Sequence, residues 1–314
     1  MRVFRGAGPL PAMSADLGRT VVTIGIFDGV HRGHQRIVHR ALARAAELRL
    51  PAVGVTFDPL PEFVLRPEET PTLLTTLDRR LQLLGELGLD AVYVIDFTAA
   101  FSRESPEEFV QSVLVSQLRA VDVVVGANFR FGRRAAGDVS TLRELGTAAG
   151  FMVDAIELAG DPGQVFSSSL IRERIAAGDV EAASVALGRP HRLEGVVVHG
   201  DHRGRELGYP TANLELPEHL AVPADGVYAG WLDAMPAAVS VGTNPTFHGI
   251  GRRVEAYVID EVGLDLYGRF MALDFSARLR PMVTFDSIDA LTAQMADDVE
   301  RCRALLSPAP AGGS

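Results

Sequence analysis

The stretch that most constrains this chain is Ile24 to His34, IGIFDGVHRGH, where an apolar run ends in closely spaced glycines and a pair of histidines. Val21 to Ile26 is rich in β-branched apolar residues, as a buried parallel strand requires. Gly25, Gly29 and Gly33 let the backbone turn and approach a ligand closely. From His34 to Leu48 the chain carries Ala41, Leu42, Ala43, Ala45, Ala46 and Leu48, all strong helix formers, so His31 and His34 fall near a helix N-terminus. Exposed backbone N–H groups and the helix dipole make such an end an anion site. The spacing puts both imidazoles on roughly one face, where their N–H groups can reach phosphate oxygens. A zinc protease would need HExxH, with a carboxylate between ligands four apart, whereas Arg32 lies between these two. A pair of solvated loop histidines is the plainer alternative, and the position between a buried strand and a helix favours the phosphate site.

The pattern formed by Gly25, Phe27, Asp28, Gly29, His31, Gly33 and His34 resembles the G-x-F-D-G-x-H-x-G-H motif of the adenylyltransferase half of bifunctional riboflavin kinase/FAD synthetases. The resemblance implies that Gly25, Phe27, Asp28, Gly29 and Gly33 bind nucleotide and that His31 and His34 act in catalysis. Downstream, strands are expected over Pro51 to Phe57, Ala91 to Ile95, Val121 to Val125 and Phe151 to Ile156. Helices are expected over Thr76 to Gly88, Pro106 to Leu118, Val139 to Ala149 and Val180 to Leu187, with a short edge element in Met1 to Gly18. This alternation predicts a doubly wound parallel sheet with its ligands at the carboxyl ends of strands.

Two further segments fit the same family. In GANFRFG, Phe129 and Phe131 are expected to pack while Asn128 contacts nucleotide. In SSSLIR, the serines are first of all helix N-caps, and the same exposed N–H groups bind phosphate, with Arg172 placed to clamp it. The resemblance makes Ser168, Ser169 and Arg172 a second ATP-binding cluster. Leu60 departs from the family, which has histidine between the prolines of F-D-P-H-P, so a phosphate contact there is absent or replaced.

Beyond Gly188-Arg189-Pro190 the character changes. Leu193 to His199, Gly226 to Leu232, Ala237 to Gly242, Val254 to Ile259 and Phe270 to Phe275 are short β-rich segments separated by Gly, Pro, Asn and Asp. Such spacing predicts an antiparallel barrel, with Ser287 to Leu306 as a helix packed on it. Gly204 to Asn213, GRELGYPTAN, is similar to the family's G-x-x-L-G-[FY]-P-T-A-N motif, in which Gly208 and Pro210 shape a nucleotide loop and Thr211 and Asn213 hold Mg²⁺-ATP. Oxygen donors of that kind suit Mg²⁺. The resemblance also makes Glu255 the general base toward the ribityl 5′-hydroxyl of riboflavin, a role that needs hydrogen-bond reach. The roles of Leu266 to Arg269 and of Arg278 to Arg280 are left open. The short Leu-Asp-Ala-Met-Pro connection after Trp231, His191 and His248 depart from the family's pattern and bear on flavin packing.

Composition narrows the alternatives. At 314 residues and 47% hydrophobic, the chain can bury two ordinary cores. No apolar run is long enough to span a bilayer and no signal-peptide pattern opens the chain, so a cytoplasmic, membrane-free protein is expected. A net charge of −10 argues against nucleic-acid binding. The lone Cys302 excludes an internal disulfide and a cysteine metal site. The sequence contains no lysine, which excludes a lysine-bearing P-loop and a protein-kinase type of ATP site.

The combined expectation is an α/β nucleotidyltransferase domain over 1–187, an antiparallel β-barrel riboflavin kinase domain with a terminal helix over 188–306, and a disordered tail over 307–314. It would convert riboflavin to FMN and FMN to FAD with Mg²⁺-ATP, as a monomer or weak homo-oligomer. The alternatives are a chain with one activity retained, for which Leu60 is the motive, and a flavin-binding regulator that has lost turnover.

Overall fold

The computed structural model describes residues 1–6, 15–157, 160–161, 164–200, 208–246, 249–261 and 263–307. The chain divides into two compact units, Met1–Pro71 with Thr75–Ser168, and Thr72–Leu74 with Ser169–Ser314.

The first unit is built on strands β1 (Arg2–Gly6), β2 (Thr20–Ile24), β3 (Ala52–Asp58), β4 (Ala91–Asp96), β5 (Ala120–Gly126) and β6 (Met152–Ile156). They form one sheet in the order β1-β4-β3-β2-β5-β6, and every pairing is parallel. Alternate residues point to opposite faces of a strand, so each buried strand feeds two layers. Val22, Ile24, Val53 and Val55 pack with Phe109, Leu114 and Leu142 on one side. Val21, Ala52, Val92 and Val124 pack on the other side with Ile37, Val38, Ala41, Leu83 and Leu84. The covering helices are α1 (Arg32–Leu48), α2 (Leu77–Glu86), α3 (Pro106–Phe109) and α4 (Val139–Ala149). The chain winds outward from β2 to β3 and β4 in one direction and returns to β5 and β6 in the other. The crevice beyond the carboxyl ends of β2 and β5 is therefore the topological switch point, where open α/β sheets bind their ligands.

After a two-stranded pair, β7 (Gly160–Asp161) and β8 (Gln164–Val165), come α5 (Ser168–Ala177) and α6 (Val180–Leu187). Contacts group residues from Ser169 onward, and so α6, with the second unit. That unit is a closed antiparallel barrel of β9 (His191–Val198), β10 (Ala212–Glu215), β11 (Gly226–Leu232), β12 (Met235–Thr246), β13 (Gly249–Val258) and β14 (Phe270–Pro281), in the order β10-β13-β12-β11-β14-β9. Inward side chains such as Leu193, Val239, Val254, Leu273 and Phe275 fill it. The last helix, α7 (Ile288–Leu306), is capped by the Ser287 hydroxyl and lays Val299, Cys302 and Leu306 against Ala229 and Ile259 on the outside of the barrel. Buried Asp298 accepts from the Arg280 guanidinium at 2.7 and 3.0 Å and ties α7 to β14. Burial pushes the Cys302 thiol up to about 12, in keeping with a packed side chain.

Several local expectations shift. β2 stops at Ile24 and not Ile26, because the chain turns at once. The helix expected over Pro106 to Leu118 is α-helical only to Phe109 and continues as a π-helix over Val110–Gln117. The strand β10 was not foreseen, since a four-residue strand after a proline leaves no period to read. β12, β13 and β14 run longer than their apolar segments. Of the expected features, Gly204 to Leu207, His248 and residues 308–314 of the tail lie outside the described residues. Among the described residues, no helix is long and apolar enough to cross a membrane.

Candidate active sites

Beyond β2 the backbone reverses sharply, with φ of 53° at Phe27, 78° at Gly29 and 39° at Val30. Phe27 is completely buried. A Cβ on Gly25 would fall 2.9 Å from the Phe27 ring, and one on Gly33 would fall 2.9 Å from His31 Cε1. These two glycines therefore make room for the protein's own rings. Only Gly29, in the left-handed region, needs glycine for its conformation.

His31 is the N-cap of α1. Its Nδ1 accepts from Gly33 N at 3.1 Å and from His34 N at 3.4 Å. An Nδ1 that accepts places the ring proton on Nε2, so His31 is an Nε2–H donor. The His34 ring stacks on it at 3.7 Å between centroids and meets the edge of Phe27 at 5.3 Å. Burial first, then His31 and Arg80, hold His34 well below the ordinary imidazole range, and its Nδ1 is buried without a partner among the described residues. His34 is thus neutral near pH 7. Both imidazoles do share one face, as the spacing implied; the capping role of His31 was not foreseen.

Asp28 is wholly buried. Its carboxylate accepts from Thr75 N at 3.1 Å and from the Thr75 hydroxyl at 3.3 Å, while Gly29 N donates to the same hydroxyl at 3.1 Å. The Ser168 hydroxyl donates to Asp28 O at 3.0 Å. These bonds fix the loop, so Asp28 shapes the site from within. Sequence reasoning missed Thr75; the Thr75-Thr76 pair ahead of α2 was its only trace, and Thr76 is that helix's N-cap. Asn128 is exposed just past the carboxyl end of β5, with Phe129 and Phe131 stacked at 5.4 Å against the core. Leu60 is buried and offers no polar group. Ser168 begins α5, so Ser168 and Ser169 lie in its first turn instead of preceding it. Arg172 Nε donates to Thr72 O at 2.5 Å within the second unit.

In the barrel, strand register brings the expected residues together. Asn213 on β10 pairs with Glu255 on β13, and the Thr211 hydroxyl donates to Glu255 Oε2 at 3.2 Å. Arg253 Nη1 reaches Glu255 Oε1 at 3.4 Å. Glu255 lies in the middle of its strand and not at its start. Gly200 lies flat against Asn213, since a Cβ there would fall 2.3 Å from Asn213 Nδ2. Gly208, at φ 85°, and Pro210 are exposed on the loop leading in. The Thr211 hydroxyl and the Asn213 carboxamide are hard oxygen donors that fit Mg²⁺ alongside waters and substrate phosphates, and the Glu255 carboxylate stands beside them. Tyr267 stacks on His199 at 3.8 Å. His191 is buried, bonds Ala221 O at 2.7 Å and stacks on Phe275, so it belongs to the barrel core.

Comparison with known proteins gives two family matches, FAD synthetase over residues 13–170 and riboflavin kinase over 187–306. The bifunctional riboflavin kinase/FMN adenylyltransferase of Pseudomonas fluorescens is 38% identical over 293 residues, covering 92% of this chain and 93% of the relative. That of Escherichia coli strain K12 is 35% identical over 303 residues, covering 95% and 96%. A crystal structure from Streptococcus pneumoniae, described as a macrolide-efflux protein, superposes with a TM-score of 0.87 at 31% identity, covering 96% of this chain and 99% of the other. The efflux description is not shared by the two families or the two relatives.

Proposed function

Because the chain belongs to the bifunctional riboflavin kinase/FMN adenylyltransferase family, we propose that Thr211, Asn213 and Glu255 carry its kinase reaction and His31 and His34 its adenylyl transfer. The enzyme phosphorylates riboflavin to FMN with ATP, and adenylylates FMN to FAD with release of pyrophosphate.

In the kinase reaction Glu255 accepts the proton of the ribityl 5′-hydroxyl as that oxygen attacks the γ-phosphorus of ATP and ADP leaves. The bond from Thr211 orients the carboxylate. Thr211 and Asn213 would hold Mg²⁺, which neutralises phosphate charge when bound. Gly208 and Pro210 shape the nucleotide loop.

In the adenylyl transfer an FMN phosphate oxygen attacks the α-phosphorus of ATP and pyrophosphate leaves, with no enzyme nucleophile. Catalysis is then alignment and charge stabilisation. His31 donates from Nε2, and neutral His34 stands beside it at the amino end of α1. Gly25, Phe27, Asp28, Gly29 and Gly33 form the loop, and Asn128, Ser168, Ser169 and Arg172 are assigned to nucleotide binding. We assign 1–187 to the adenylyltransferase domain, 188–306 to the kinase domain and 307–314 to a disordered tail. The enzyme is cytoplasmic, binds no nucleic acid and acts as a monomer or weak homo-oligomer.

The observation that supports this reading most is the meeting of Thr211 and Glu255, distant in sequence, at 3.2 Å beside Asn213. His31→Ala should remove FAD formation and spare FMN formation, and Glu255→Ala should do the reverse. Folded variants that each lose both activities would refute two independent sites.

A further inference from the structure

Arg80 on α2 is 1% exposed, among the largest fully buried side chains of the molecule. Its Nη1 donates to Phe57 O at 3.0 Å and to the Thr56 hydroxyl at 3.3 Å. The same hydroxyl donates to Ile26 O at 2.9 Å. A chain of bonds thus runs from Arg80 through the carboxyl end of β3 to the first turn of the histidine loop.

The guanidinium is nevertheless poorly compensated. Among the described residues no carboxylate lies within ion-pair distance of it, and its Nε is buried with no acceptor. Asp28 and Asp58 act on it only from further away. Asp28 is engaged by Thr75, and Asp58 is paired with Arg5 at 2.7 Å. Arginine does not lose its proton to relieve such a situation, and a buried charge without a contact partner is expensive to keep. A fold that needed only a filler at this position would be better served by leucine or methionine. The charge also acts on His34, where Arg80 is one of the causes that hold the imidazole neutral.

We propose that Arg80 is a positioning residue of the adenylyl-transfer site: it fixes the loop after β2 through Thr56 and Ile26, and supplies a buried positive charge behind the His31–His34 pair against which the phosphates of ATP and the departing pyrophosphate are held. The proposal rests on the assignment of that site to adenylyl transfer. It explains why a poorly compensated cation stands beneath a loop whose own histidines are engaged in capping and stacking and, for His34, neutral. The anion completes a charge balance that the protein alone leaves open.

The test compares Arg80→Lys, which keeps the charge, with Arg80→Gln, which keeps hydrogen bonding without it, in the full chain. FAD formation from FMN and Mg²⁺-ATP is measured at varied FMN and ATP, and riboflavin phosphorylation by the same preparations reports the other site. Arg80→Gln is expected to lower kcat for FAD formation by about 100-fold, the lower end of the scale for losing one preorganised electrostatic contact. Its KM for FMN should stay within about twofold, Arg80→Lys should recover most of the rate, and FMN formation should not change in either. Inorganic pyrophosphate should raise the unfolding temperature of the parent and of Arg80→Lys, and not of Arg80→Gln. A Gln variant as fast as a working parent, a Lys variant no better than Gln, or an equal pyrophosphate shift in all three overturns the proposal. A parent that makes no FAD overturns instead the reading of the site itself.

Discussion

Gly200→Ala is the substitution whose effect on the kinase reaction follows most directly from the geometry. An added Cβ would stand 2.3 Å from Asn213 Nδ2, 2.6 Å from Cγ and 2.7 Å from Oδ1. Ordinary carbon contacts begin near about 3.5 Å, so the carboxamide must retreat by roughly 1 Å. Its backbone cannot follow, because Asn213 is paired with Val198 on one side and Glu255 on the other. Relief comes from turning the side chain, which moves Oδ1 off the position assigned to Mg²⁺-ATP. A displacement of about 1 Å in such a group can cost about 100-fold in rate. Initial rates of FMN formation from riboflavin should fall by about that factor, while the same preparation converts FMN to FAD at the parent rate. Overpacking of this kind also costs about 1–3 kcal/mol, visible in urea unfolding. In an Asn213→Ala background the extra methyl should have little further effect, because the group it displaces is gone. A Gly200→Ala enzyme that phosphorylates riboflavin within threefold of the parent would refute the claim that the Asn213 carboxamide is held in place for the reaction.

Other substitutions separate structure from chemistry in the same way. His31→Asn keeps a side chain able to cap α1 and should hold stability while losing FAD formation; His31→Ala should lose the activity and also about 1 kcal/mol in thermal or urea unfolding. Asp298→Ala leaves the half-buried Arg280 guanidinium without its bidentate partner, and should destabilise the barrel unit by about 2–3 kcal/mol in urea titration; a loss under about 1 kcal/mol would contradict the anchoring of α7. His34, held neutral by burial, binds its proton more weakly folded than unfolded. As pH falls below about 6.5, the unfolded chain takes up a proton that the folded chain does not, so stability drops by up to about 1.4 kcal/mol per pH unit until the depressed pKa is reached. Above pH 7 the group adds no slope. Unfolding free energies of His34→Gln between pH 5 and 8 should lack that component, and an unchanged slope would show that His34 titrates normally.

The parts legible in the sequence were those set by local pattern. Buried runs such as Val21 to Ile24 announce parallel strands because both faces are covered. The glycine-bounded histidine loop was placed correctly because a strand must end before a helix can begin. The β-rich second half pointed to a barrel through its turn residues. What escaped depends on partners distant in sequence. That the rings of Phe27 and His31 lie over Gly25 and Gly33 is set by the turn and leaves no mark in the local pattern. The bond from Thr75 to Asp28 joins residues far apart in the chain, and only the fold brings them together. Arg80 looks like any polar residue on a helix until β3 packs over it, and the pairing of Asn213 with Glu255 is a matter of register between a strand that was foreseen and one that was not. The π-helical stretch after Phe109 carries no distinguishing residue.

The account is tested most directly by incubating the full chain with riboflavin and Mg²⁺-ATP and resolving flavins and nucleotides over time. FMN should appear first and then decline as FAD accumulates, with one ADP formed for each riboflavin phosphorylated and one pyrophosphate for each FAD. Unchanged riboflavin, or FMN that never becomes FAD with ATP in excess, would contradict it.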